Sequence, residues 1–295
     1  MPPPQGEGNR EAVEGVCLRR KDTPPVCFAA LPPLRGGQVT LSGVFFMKKF
    51  LLEICVDSFE SARRASESGA DRLELCGDLL VGGVSPSPFL IEQVVSRIRT
   101  PVNVLLRPRF GDFCYTDEEK DVILREIGFC VKTGVNGIVI GALTPDGELD
   151  VPFLSRCMAA AGDLDVTLHR CFDMCRDGFE AIDTACDLGI QTILTSGQMA
   201  TAPKGAENLK AFRSYAADRI HLLAGSGVSA ANIPALHRDT GICHFHLSGK
   251  ASEPGPMVFR REGVPMGLPM ASEFDRQYAS PAAVRAARTA IDNLK

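Results

Sequence analysis

From Phe50 onward, short apolar runs rich in β-branched residues alternate with longer stretches of mixed polarity. The runs fall at 50–56, 71–76, 101–107, 137–143, 165–172, 191–196, 219–224 and 243–248. Each has the length of a strand, and the stretches between them are long enough for a helix. Start signals punctuate the pattern. Asp57-Ser-Phe-Glu60 and Thr116-Asp-Glu-Glu119 read as capping boxes. Ser87 and Ser280 each stand before a proline, Asp150 stands before Val151-Pro152, and Ser229 stands before Ala230. Stop signals recur too: Gly69, Gly134, Gly189 and Gly241 each close a helical stretch and lead into an apolar residue. This is the left-handed C-terminal cap with its hydrophobic contact. Repetition of one helix-to-strand joint predicts a repeated βα unit, and eight such units over about 250 residues predict a (β/α)8 TIM-type barrel. A doubly wound open sheet is the structural competitor, but the first βα turn carries no glycine fingerprint for a dinucleotide.

The segment before this pattern differs from it. Residues 1–46 contain a proline run at the start, Pro24-Pro25, Pro32-Pro33 and Gly36-Gly37, and neither a helical nor an alternating period survives. We expect a low-complexity, disordered extension there, followed by a barrel domain over 47–295. Glu7, Glu11 and Glu14 argue against a mitochondrial presequence.

Composition narrows the class. The 295 residues carry a net charge of −4 and 45% hydrophobic residues. That leaves no basic footprint for nucleic acid and no polybasic membrane anchor, and no apolar run approaches the roughly eighteen residues of a membrane span. Eleven cysteines, an odd number scattered through predicted strands and helices, fit reduced thiols in the cytoplasm better than a disulfide framework. No C-x-x-C pair suggests a zinc knuckle.

The candidate chemistry gathers at the C-terminal ends of the predicted strands, where a barrel keeps its active face. Glu53 and Cys55 in the first run share a strand face, as do Glu74 and Cys76 in the second. A carboxylate within an apolar strand is costly unless partnered or used. Other strand ends carry Arg107 and Arg109, His169 and Asp173, Ser196, and His246 with Ser248; Asp112 follows the third strand. Glu53, Glu74, His169 and Asp173 are candidate acid–base residues. Arg107, Arg109, Asp112, Ser196 and His246, with Gly225 and Gly227 of the loop Ala224-Gly-Ser-Gly-Val228, are candidates for holding a substrate or anion. Glu53 and Glu74 could instead be buried partners of an arginine, and His169 a hydrogen-bonded core residue. His244-Phe-His246 shares one face, a weak metal signal without a third ligand. Cys55 and Cys76 are open to three readings: a soft two-coordinate site selecting Cu(I), a reversible disulfide, or packing.

Several separated blocks together resemble the CutC copper-homeostasis family: Leu52-Glu-Ile-Cys-Val-Asp-Ser58, Gly69-Ala-Asp-Arg-Leu-Glu-Leu-Cys76, Gly82-Gly-Val-Ser-Pro-Ser87, Arg107-Pro-Arg-Phe-Gly-Asp-Phe-Cys-Tyr115, Thr167-Leu-His-Arg-Cys-Phe-Asp173 and Leu194-Thr-Ser-Gly197. The resemblance runs from about Leu52 to the C-terminus. It implies a (β/α)8 barrel, a cytoplasmic location, a homo-oligomer (dimer or tetramer) and a part in copper handling. It also implies Cys55 and Cys76 as Cu(I) ligands, since they match the cysteines assigned that role in animal members. Phe110, Cys171 and Ser226 depart from the usual glycine, alanine and glycine at those places. Two functional expectations follow. One is a Cu(I)-binding protein using the barrel-mouth cysteines; the other is an enzyme acting on a small anionic, phosphorylated or sugar-like substrate with Glu/His acid–base residues and an arginine clamp.

Overall fold

The structure, a computed structural model, describes residues 50–264, 266–267 and 272–294. The expected disordered extension, residues 1–46, lies outside the described residues. Eight parallel strands close into a barrel in sequence order: β1 (Leu51–Val56), β2 (Arg72–Leu75), β3 (Val102–Leu105), β4 (Gly137–Ile140), β5 (Asp165–Leu168), β6 (Thr192–Thr195), β7 (His221–Ala224) and β8 (His244–Leu247). Crossover helices follow the strands: α1 (Phe59–Glu67), α2 (Pro88–Arg97), α3 (Asp117–Thr133), α4 (Val151–Ala161), α5 (Gly178–Asp187), α6 (Ala206–Ala216), α7 (Ile233–Thr240) and α8 (Pro281–Asp292). The (β/α)8 expectation holds. No helix among the described residues is long and apolar enough to cross a membrane.

Most of the capping signals act as read. Thr116 and Glu119 form a reciprocal capping box on α3, and the Asp150 and Ser280 side chains accept backbone N–H groups of α4 and α8. Gly134 and Gly241 end α3 and α7 with φ of 74° each, in the left-handed region that glycine occupies without a Cβ clash. Two starts differ. Ser58, not Asp57, caps α1, and α7 begins at Ile233 rather than beside Ser229. The Ser229 N–H is instead taken by the Asn232 side chain, which favours a turn over a helical start. A two-stranded antiparallel ribbon, β9 (Lys250–Pro254) and β10 (Asp275–Ala279), lies between β8 and α8. Its exposed polar faces carry no hydrophobic alternation, so periodicity misses it.

The period of two divides each strand between two environments. In β1, Leu52, Ile54 and Val56 belong to the large cluster that also holds Ala62, Ala65 and Val94 of the helices. Glu53 and Cys55 alternate with them and so face the lumen. By the same count the inward residues are Arg72, Glu74 and Cys76 on β2 and just beyond it, Asn103 and Leu105 on β3 with Arg107 beyond it, His169 after β5, and His244 and His246 on β8. Cys76, Leu105 and Val139 form a small apolar cluster separate from the outer one.

One backbone position ties the fold to this lumen. A Cβ on Gly141, just past β4, would lie 2.6 Å from His169 Cε1 and press on the Cys171 sulfur. Only a residue without a side chain lets the His169 ring sit there. Gly141→Ala is therefore expected to cost about 1–3 kcal/mol by overpacking. Urea denaturation checks this, and unaltered stability would mean that the ring is not confined.

Candidate functional site

The C-terminal mouth of the barrel holds a cavity of about 320 Å³. Cys55, Glu74, Cys76, Arg107, His169 and His246 all contribute to its wall, together with Arg170 and the loop Ser226-Gly-Val228. Six strand ends thus converge on one space, as the pattern of polar strand ends leads one to expect.

Its centre is built at the seam where β8 closes onto β1. The parallel register sets Glu53 against Arg72 on one side and against His246 on the other. The Arg72 Nε–H donates to Glu53 Oε2 at 2.5 Å, and His246 Nδ1–H donates to Glu53 Oε1 at 2.7 Å. Burial alone would raise the Glu53 pKa; the Arg72 guanidinium and the His246 ring outweigh it and hold the group at about 2. Glu53 is thus ionised at neutral pH and orients His246. Arg72 was not among the residues singled out from the sequence. Its signal is positional: it lies two residues before Glu74 on the same strand face.

Cys55 lies opposite Glu74, not opposite Cys76. One ligand atom each from Cys55, Glu74 and His246 all lie within 4.8 Å of one another, and all three residues are buried. His246 Nε2 is 3.7 Å from Glu74 Oε2. Burial would lower the His246 pKa, but the interactions of the ring with Cys55, Glu74 and Glu53 outweigh it and raise the pKa well above its ordinary value. Glu74 lacks an arginine partner among the described residues. Burial raises its pKa and His246 opposes, leaving it at about 7. Two carboxylates on one ring, one near 2 and one near 7, have been driven apart by their surroundings.

Cys76 shares the cavity but stands outside this trio. Its Sγ–H donates to the Val56 carbonyl at 3.3 Å, and burial, with Glu74 nearby, pushes the thiol pKa well above its usual value. The nine cysteines among the described residues are all free, so Cys55 and Cys76 form no disulfide here. His244 points to the lumen one rung below His246 and stacks near His221, with ring centroids 4.9 Å apart. It does not join the centre.

The far wall carries Arg107 and His169. Arg107 donates to the Gly83 carbonyl at 3.1 Å and the Gly111 carbonyl at 2.8 Å and lies over the Phe113 ring. His169 Nδ1 accepts the Cys171 N–H at 3.1 Å, and burial, with Arg107 adding repulsion, lowers its pKa to about 3. The ring is neutral, with its proton on Nε2.

Other candidates are placed elsewhere. Asp173 receives Thr195 Oγ1–H at 2.6 Å and the N–H groups of Ser196 and Gln198, and pairs with Arg170 at 2.7 Å. Its oxygens hold the loop after β6 and are not aimed at the cavity. Ser196 belongs to that network, donating its hydroxyl to Asp173. Arg109 and Asp112 pair with each other at 3.0 Å, and Arg109 also binds Glu119 at 2.6 Å. Neither lines the cavity. Of the Ser226 loop, Gly227 lines it and Gly225 does not.

The molecule is a parallel (β/α)8 barrel protein with a thiol, an imidazole and a carboxylate converging at its C-terminal mouth. The CutC family model matches residues 50–251, and the chain belongs to the CutC family. It is 43% identical over 232 residues to a family protein CutC of Bacteroides fragilis, covering 78% of this chain and 92% of the relative. It is 39% identical over 241 residues to a family protein CutC of Pasteurella multocida, covering 82% and 98%. The crystal structure of CutC from Streptococcus agalactiae superposes with a TM-score of 0.65 at 29% identity, covering 68% of this chain and 98% of that one.

The divided carboxylates yield a stability signature. The pKa of Glu53 falls from 4.5 to about 2 on folding, so its stabilisation is present above about pH 4.5 and is lost as pH falls toward 2. The pKa of Glu74 rises from 4.5 to about 7, so its protonated form supports the fold below 4.5 and that support is lost as pH climbs through 7. Glu53→Gln is expected to cost about 3 kcal/mol at pH 6 by stranding Arg72 and His246. Glu74→Gln should cost little at pH 5 and gain on the wild type by pH 8. Urea titrations across that range read both, and parallel pH profiles for wild type and Glu74→Gln would contradict the assignment.

Proposed function

We propose that this protein handles copper in the cytoplasm, binding Cu(I) at the barrel mouth between Cys55 and His246, with Glu74 beside the ion. The Streptococcus agalactiae relative is named for copper homeostasis, which supports the role. The observation that carries the site is the convergence of Cys55, Glu74 and His246 ligand atoms within 4.8 Å. A thiolate selects Cu(I) over harder ions, and imidazole is a suitable second ligand. The outer contacts fit as well. Metal-bound histidines donate their other ring N–H to a carboxylate, and His246 Nδ1–H donates to Glu53. That leaves Nε2 on the side of Glu74. Loading displaces the His246 proton, so affinity should fall as pH falls. Cys76 is a nearby thiol with its proton firmly held, and we assign it a secondary part. We further propose that the protein works as a homodimer or homotetramer.

The test is competition for Cu(I) with a chromogenic chelator, using reduced full-length protein. The wild type should bind about one ion per chain in competition with the chelator. Cys55→Ser should abolish binding, Glu53→Gln should weaken it by about tenfold as an outer-shell change, and Arg109→Gln should leave it unaltered. Full affinity in Cys55→Ser would overturn the proposal.

A further inference from the structure

Arg107 is a buried cation without a counter-ion. Its residue is 8% exposed, yet no carboxylate lies within ion-pair distance among the described residues, and its two terminal nitrogens are spent on the neutral carbonyls of Gly83 and Gly111. Its enclosed Nε–H has no partner among the described residues. Buried charges in folded proteins are paired, because an unpaired one carries its full desolvation cost. The contrast with Arg109 is direct: that guanidinium is more exposed and nevertheless holds two carboxylates.

A second orphan shares this wall. His169 is 4% exposed, and its Nε2, which bears the proton because Nδ1 accepts the Cys171 N–H, also lacks a partner. A buried donor without an acceptor carries its desolvation cost uncompensated. The Phe113 ring packs against both groups, its centroid 4.9 Å from that of His169 and 5.0 Å from the Arg107 guanidinium carbon. Both side chains line the cavity. They follow β3 and β5, which the barrel order sets apart from the β8–β1 seam that carries His246 and Cys55.

We propose that this wall binds the carboxylate group of a small organic acid, a small shift of the Arg107 and His169 side chains turning their enclosed Nε–H and Nε2–H groups to the ligand. The ligand supplies the missing negative charge and satisfies both orphan donors. The donor count selects a carboxylate over a phosphate: two N–H groups and one uncompensated positive charge match two oxygens and one negative charge. A phosphate dianion would bring a third oxygen and a second charge. A cavity of about 320 Å³ suits a molecule of a few carbons, whose other end reaches toward Cys55 and His246. The arginine that binds is Arg107, and Arg109 takes no part.

The experiment is a thermal-stabilisation titration of full-length, reduced protein in the presence of a metal chelator. Pyruvate and lactate serve as probes, against inorganic phosphate and chloride at matched ionic strength. We expect saturable stabilisation by a monocarboxylate in the tens of millimolar or below, with chloride and phosphate giving none. Arg107→Lys and His169→Leu should each weaken it by about tenfold or more. His169→Gln, which keeps a donor, should retain most of it, and Arg109→Gln should retain all of it. His169→Gln separates loss of a donor from loss of fold. Equal stabilisation by chloride or phosphate, undiminished binding in both Arg107→Lys and His169→Leu, or no saturable effect from either acid would overturn the proposal. Chelated metal keeps the outcome independent of Cu(I) binding at Cys55.

Discussion

A single buried carboxylate organises this barrel. Glu53 is 1% exposed and bridges Arg72 on β2 and His246 on β8. An isolated carboxylate in that place would be expelled or neutralised. Held between two charge-assisted hydrogen bonds it stays ionised, and because its partners sit on the strands to either side, satisfying it also pins the register on both flanks of β1. The bridge spans the β8–β1 seam, so the same contact that closes the barrel aims the His246 ring.

Everything else at the mouth follows from that orientation. With Nδ1 committed to Glu53, the other side of the His246 ring faces Glu74, and Cys55 lies two residues along the strand from Glu53 on the same face. Glu74, beside an already ionised neighbour and with no arginine in ion-pair contact among the described residues, is left as the group that changes charge near neutral pH. One wall of the cavity is therefore rich in negative and soft donors. The opposite wall holds a cation and a neutral imidazole, each with a donor left over.

The strand–helix alternation, the barrel and the crowding of polar residues at strand ends were all legible in the sequence, because each rests on local periodicity or capping chemistry. Glu53 and Cys55 were correctly placed on one face for that reason. The pairing between strands was not legible. Matching the two Glu-x-Cys pairs suggests that Cys55 meets Cys76, but the stagger of a closed parallel barrel slides β2 so that Cys55 meets Glu74 instead. His246, 193 residues from Glu53, joins the centre only through closure of the barrel. Nor does the sequence distinguish Arg107 from Arg109. They stand two apart, yet the chain leaves β3 at Leu105 and turns, so one faces the cavity and the other pairs with Asp112 and Glu119. Asp173 looked catalytic by position, and the hydrogen bonds that hold the β6 loop absorb it.

The most direct test of the centre is X-ray absorption at the copper edge of the Cu(I)-loaded, reduced protein. Coordination by Cys55 and His246 predicts one sulfur and at least one nitrogen in the first shell, with the multiple-scattering pattern of an imidazole ring. A first shell of two sulfurs without that pattern would place the ion between Cys55 and Cys76, and would contradict the view that the Glu53–His246 seam builds the site.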